Sequence, residues 1–252
     1  MNTTIELPLS TPVNLRDLGG IPISGGVLRE GLAIRTDDLA TVTPEYAAEL
    51  VAGGLTAIID LRSPDEVQVT GRGPLGDHAV AYHHLPFMGS IQAPTGDAPA
   101  LTHEVMGEMY GGMVEQAAPL IVTALTVIAH SPGATAFHCA AGRDRTGVLA
   151  ASLLLVLGAD DDAIVADYAQ TGPNMPAIMA RTRTAMSAVF AKLGLDPDVF
   201  DGKGLEDDGM ELSMRMLLAR LREQHGDPLA PLRAAGLDDD TVARLRTRAL
   251  GR

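Results

Sequence analysis

Two apolar runs, 134–137 and 148–157, flank a stretch that carries the chain's one cysteine. That stretch reads His138-Cys139-Ala140-Ala141-Gly142-Arg143-Asp144-Arg145-Thr146-Gly147. The first run has strand length and the second has helix length. A buried strand passing straight into a buried helix is the building unit of α/β folds. It sets a helix N-terminus, with unpaired N–H groups and the positive end of the dipole, around a point where an anion is favoured.

The spacing inside the stretch suits phosphate chemistry. A tight loop from Cys139 to Arg145 can curl its N–H groups inward as an anion nest. Ala140, Ala141, Gly142, Arg143, Asp144 and Arg145 are therefore the expected phosphate-binding residues. Arg145 can grip two oxygens with its planar fork, and Arg143 adds positive charge to the same pocket. Gly142 permits a conformation or approach that a side chain would hinder. The N–H field also favours the thiolate of Cys139, a nucleophile suited to phosphoryl transfer. An exposed thiolate should oxidise to a sulfenic acid, with no second cysteine to trap it.

Composition narrows the alternatives. The net charge of −13 opposes nucleic-acid binding, which needs a basic face, and opposes anionic lipid surfaces. A 46% hydrophobic content supports a sizeable core, built with few aromatics at 3%. A single cysteine excludes an intrachain disulfide framework. No apolar run reaches membrane-spanning length, so stable insertion is not expected. Residues 1–10 lack a basic and apolar leader pattern, so a cytoplasmic location is expected.

Along the chain, Gly19-Gly20 and Gly25-Gly26 mark turns between short strands. Thr43-Pro44 opens a helix that stops at Gly53-Gly54. Residues 56–61 read as a buried strand, with Arg62 at its carboxyl end, where ligands of open α/β sheets collect. Arg62 either lies near the phosphate or supports the loop through a buried ion pair. Residues 82–87 form the next strand. His83 and His84 point to opposite faces of it, which suits ordinary strand histidines better than a shared metal. Residues 88–102 are a loop. Helices are expected at 103–112, 117–130, 160–170, 175–200, 210–224 and 239–250, with 201–209 as an acidic loop. Arg16 and Asp17 read as an ion pair near a turn more readily than as substrate ligands.

His-Cys-x-x-Gly-x-x-Arg-Thr-Gly resembles the signature of the cysteine-dependent tyrosine and dual-specificity phosphatases. With Asp144 before Arg145, it is similar to the atypical bacterial branch related to the mycobacterial phosphatase B, which also includes phosphoinositide phosphatases. Asn14-Leu15-Arg16-Asp17-Leu18-Gly19-Gly20, Arg35-Thr36, Asp60-Leu61-Arg62-Ser63 and Ala166-Asp167-Tyr168 extend the resemblance over much of the chain. It implies a three-layer α/β fold over 1–252, with a central mostly parallel sheet flanked by helices. It also implies a helical lid-like C-terminal insertion at 172–210, although methionines there suit core packing as well.

The resemblance further implies a phosphomonoesterase that works through a cysteinyl-phosphate, without metal or other cofactor. Cys139 would be the nucleophile, Arg145 would hold the transferring group, and Thr146 would donate to the sulfur. His138 would anchor the loop. The branch usually has Lys where this chain has Arg143. Relatives often carry an acidic Asp where Gly89 stands, so Asp144 becomes the first candidate for general acid and Asp97 the second. Substrates could be a phosphorylated protein, a phosphoinositide or a small phosphomonoester. A rhodanese-type sulfurtransferase fits the Arg-Thr-Gly poorly. A Walker loop fails because Val148 stands where Lys is required. An inactive phosphate-binding module is the non-enzyme alternative.

Overall fold

The computed structural model describes residues 7–89, 102–195 and 209–252. Its strands are β1 (Arg16–Asp17), β2 (Pro22–Ile23), β3 (Gly26–Val27), β4 (Ala33–Thr36), β5 (Leu55–Asp60), β6 (Ala81–His84) and β7 (Ala134–His138). Its α-helices are α1 (Pro44–Ala52), α2 (Pro64–Thr70), α3 (His103–Gln116), α4 (Ala118–His130), α5 (Asp144–Leu157), α6 (Asp161–Ala169), α7 (Met175–Leu193), α8 (Met210–His225), α9 (Ala230–Ala234) and α10 (Asp239–Ala249).

The main sheet has the order β1-β4-β7-β5-β6, with β2 and β3 forming a separate hairpin. Strands β4, β7, β5 and β6 are parallel, and β1 alone runs against β4. Thr36 and Asp60 both pair with His138, and His84 pairs with Asp60. The four parallel strands therefore end level, and the loop after His138 rises from the middle of that edge.

Strand alternation creates the three layers. Ile59 and Phe137 enter the large core built by α3, α4, α5, α8 and α10. Their neighbours Ile58 and Ala136 face a smaller core with Ala47 of α1 and Leu75. Helix α5 is buried almost throughout, which explains its unbroken apolar sequence. Helix α8 lies close on α3 because Gly107 and Gly111 leave room: a Cβ there would meet Met216 or Arg220 at 2.3 and 2.2 Å. Among the described residues, no single helix is long and apolar enough to cross a membrane.

Most helix starts follow their sequence signals. Thr43, Asp160 and Asp238 accept from the N–H of Tyr46, Ala163 and Thr241. Helix α3 runs on to Gln116, through glycines that read as its end, because α8 covers them. The proposed loops at 88–102 and 201–209 fall largely outside the described residues, and Asp97 does too.

Candidate active site

The phosphate-binding residues expected from sequence form one loop between β7 and α5, and its carbonyls are tied down on the outside. Asn14 Nδ2 donates to the Ala141 and Gly142 carbonyls at 3.3 and 3.2 Å, and Arg35 donates to Gly142 O at 2.9 Å. The Asp38 N–H donates to Ala140 O at 3.1 Å. A peptide's N–H points opposite to its C=O, so outward carbonyls leave the amides for the concave side. Gly142 is required twice over. Its φ is +69°, and a Cβ would sit 2.5 Å from Thr36 O. Helix α5 starts with no side-chain cap, so its first N–H groups add to the same concavity.

The anchors form a second layer. Asp167 takes Arg35 at 2.5 Å and Arg16 at 2.8 Å, and Arg16 also donates to Asn14 Oδ1 at 2.8 Å. Arg16 is thus structural, as expected, but its partner is Asp167. Asp17 instead accepts from the N–H groups of Gly19 and Gly31. Arg62 resolves to the buried ion pair. It is 1% exposed and is held by Asp60 at 2.5 Å and Asp38 at 3.0 Å. His84 Nε2 meets the Arg62 carbonyl at 2.8 Å, whereas His83 lines a separate surface cleft. His138 is buried, with Nδ1 at 3.2 Å from Cys139 O and 3.4 Å from the Leu39 N–H. One tautomer can satisfy only one of these contacts.

Arg145 is oriented by Glu66, a residue whose role the sequence reading missed. Nη1 and Nη2 donate to the two carboxylate oxygens at 2.6 and 3.0 Å. Glu66 also closes a capping box with Ser63 at the start of α2. The end of the guanidinium fork is therefore occupied, and a phosphate must use the side edge, Nε and one Nη. Five N–H groups on the guanidinium make both possible.

Cys139, Ala140, Ala141, Asp144 and Arg145 form the floor of a cleft of about 260 Å³. Its wall is α7: Met179, Thr182, Arg183, Met186, Ser187 and Phe190. Within 172–210, the segment expected as a lid or cap, residues 179–190 of α7 line the cleft beside the loop. Arg181 fastens α7 through Asp37 at 2.8 Å, Asp38 O at 2.9 Å and Ser10 Oγ at 3.0 Å. Under this wall Cys139 is 1% exposed, which corrects the expectation of an exposed thiol.

Two further expectations change. The Arg143 side chain does not line the cleft. It turns to the Tyr168 hydroxyl, 3.5 Å from Nε, and to Asp144, 3.6 Å away. Nε thus has one acceptor and a nearby carboxylate, while Nη2 is buried with no hydrogen-bond partner among the described residues. Thr146 is fully buried, but its Oγ1 finds no hydrogen-bond partner among the described residues, so the expected donation to the sulfur is not made here.

The anchors predict an acid-labile fold. Burial opposes the charge of Glu66 and Asp167. Arg145 beside the first, and Arg35 with Arg16 beside the second, nevertheless hold both carboxyls below their ordinary range. Burial itself pushes the His138 imidazole down. In all three cases the unfolded chain takes up a proton that the native state refuses, so stability rises with pH. It should be complete above about pH 6.5, decline below that as unfolded histidine charges, and fall more steeply below about pH 4. Urea midpoints measured from pH 7.5 to pH 4 check this, and a flat profile would contradict it.

Comparison with known proteins follows the same lines. A model described as the tyrosine phosphatase family matches residues 7–251. The chain is 28% identical over 274 residues to the triple specificity protein phosphatase PtpB of Mycobacterium tuberculosis, covering 94% of this chain and 96% of that one. It is 27% identical over 218 residues to a tyrosine-protein phosphatase of Nostoc commune, covering 85% and 73%.

Proposed function

The chain belongs to the tyrosine phosphatase family, and on that premise we propose that it hydrolyses phosphotyrosine in proteins, with room for other phosphomonoesters. The observation that carries this reading is the shared cleft floor. Cys139 and Arg145 stand at the two ends of one loop whose Ala140, Ala141 and Gly142 carbonyls are drawn outward. The apolar wall of Met179, Met186 and Phe190 suits an aryl ring above the phosphate. The relatives named for tyrosine and for triple specificity support the same substrate class.

In the first step the Cys139 sulfur attacks phosphorus. The S–P bond forms, the bond to the leaving oxygen breaks, and Asp144 gives that oxygen its proton. Arg145 and the loop N–H groups hold the three non-bridging oxygens, where charge must be stabilised. In the second step water attacks phosphorus, Asp144 takes a proton from it, the S–P bond breaks, and inorganic phosphate leaves. Asp144 earns its role by position. It lines the cleft, and its side chain is 35% exposed.

Leaving groups test the acid. Asp144→Asn should lower turnover of alkyl phosphates by about 10²-fold, while p-nitrophenyl phosphate, whose leaving group needs little help, loses far less. Equal small losses on both would reject Asp144. Phosphotyrosyl, phosphoseryl and phosphothreonyl peptides, phosphoinositides and sugar phosphates, compared by kcat/KM, then test the substrate. Preference for sugar phosphates would overturn the protein reading.

A further inference from the structure

Behind the cleft, Tyr110 of α3, Tyr168 of α6 and Arg143, just ahead of α5, are linked to one another and to the carboxylate of Asp144. Arg143 Nε donates to the Tyr168 hydroxyl at 3.5 Å. The Tyr168 and Tyr110 hydroxyls lie 2.7 Å apart, with their rings edge to face at 6.1 Å. The Tyr110 hydroxyl hydrogen-bonds Asp144 Oδ1. Both tyrosines are fully buried. Neither the sequence motifs nor the family resemblance gives Tyr110 a role.

We propose that Tyr110 and Tyr168 are positioning residues for Asp144, joined in a one-way hydrogen-bond chain whose direction Arg143 sets. The proposal rests on the reading of Asp144 as the acid. A phenol has one proton to give, and a guanidinium only donates. With the Arg143 N–H on the Tyr168 oxygen, the Tyr168 proton goes to Tyr110 and the Tyr110 proton goes to Asp144. In the reverse order, Tyr168 would receive two donors and its own proton would have no acceptor among the described residues. That is costly in a fully buried site. In the forward order every link is satisfied, and each polarises the next.

The chain decides which carboxylate oxygen does chemistry. Oδ1 is committed as an acceptor from Tyr110. Burial first, and then the charge of Asp144, keep that phenol protonated far above its ordinary range. Oδ2 takes no hydrogen bond from any described residue, and Asp144 lines the cleft with its side chain 35% exposed. An acidic proton on Asp144 therefore sits on Oδ2, where a leaving oxygen can reach it. The signature's last glycine fits the same device. A Cβ on Gly147 would meet the Tyr168 ring at 2.9 Å, so the glycine lets that ring lie against α5.

The experiment is a leaving-group comparison in a double-mutant cycle on the full chain. Tyr110→Phe should lower kcat for an alkyl phosphate by about tenfold and change p-nitrophenyl phosphate by less than about twofold. In an Asp144→Asn background the same substitution should cost nothing more on either substrate. Tyr168→Phe, one link further back, should act in the same direction with a smaller effect. If Tyr110→Phe fails to fold, Tyr168→Phe decides, through its alkyl-to-aryl ratio. Equal losses on both substrates, or losses that add to those of Asp144→Asn, would overturn the chain. An Asp144→Asn enzyme with an unchanged alkyl-to-aryl ratio would instead reject the acid itself, and the chain with it. A selective Asp144→Asn effect beside unmoved ratios in both tyrosine variants would reject the chain alone.

Discussion

Cys139→Ser is expected to bring hydrolysis of p-nitrophenyl phosphate to background, a loss on the order of 10⁴-fold or more. A serine hydroxyl in the same place holds its proton at neutral pH and is a far weaker nucleophile than a thiolate. The loop itself should survive. Its carbonyls are pinned by Asn14, Arg35 and Asp38, and none of those bonds involves the sulfur. Binding and turnover should therefore separate: calorimetry should show inorganic phosphate still bound by the inactive variant. A residual rate within tenfold of the parent would remove Cys139 as nucleophile. Lost phosphate binding with an intact circular dichroism spectrum would show that the sulfur serves the cradle as well as the reaction.

The part of this site legible in the sequence is local along the chain. Strand, loop and helix from Ala134 to Leu157 are contiguous, so apolar run lengths and one glycine nearly define them. Ser63-Pro64-Asp65-Glu66 was legible too and went unread. Ser followed three residues later by Glu, with Pro at the first helical position, marks a capping box and hence α2. What that box does not reveal is that Glu66 also faces Arg145, which lies 79 residues away. Tyr110 was hidden for the same reason. It sits in an apolar helix face, where a tyrosine reads as core, and its hydroxyl meets Asp144 only after α3 packs on α5. The short helix α9 has no strong start signal: Leu229 precedes it without a side-chain cap.

Burial and access meet at the cleft. Cys139 is 1% exposed and shares the cleft with α7, and Arg181 secures α7 through the fully buried Asp37. Asp37 also accepts from the Asn14 N–H at 3.0 Å, and the Asn14 side chain holds the loop. The fastening of α7 and the loop anchor thus share one carboxylate. A change in the position of α7 would be felt at the loop through three links: Arg181 to Asp37, Asp37 to the Asn14 N–H, and the Asn14 side chain to the loop carbonyls.

Glu66→Ala is expected to produce the second large effect, on stability and on rate together. The substitution removes the one carboxylate that hydrogen-bonds Arg145 among the described residues and leaves a guanidinium that is 12% exposed without that partner. Breaking a buried pair from one side costs about 3–5 kcal/mol, and the lost capping box adds about 1 kcal/mol. The rate should fall by about 10²–10³-fold, because the side edge of Arg145 no longer points at the transferring phosphoryl oxygens. Glu66→Gln separates the two roles. Its amide oxygen can still accept from the Ser63 N–H, so the cap persists, but it offers Arg145 a neutral partner with one acceptor. Urea denaturation should place Glu66→Gln closer to the parent than to Glu66→Ala. Its kcat should nevertheless drop by at least about tenfold, since a loosely held guanidinium loses orientation before the helix loses its cap. If Glu66→Gln kept full kcat, the carboxylate would serve only the fold, and the orientation of Arg145 would have to come from the loop alone.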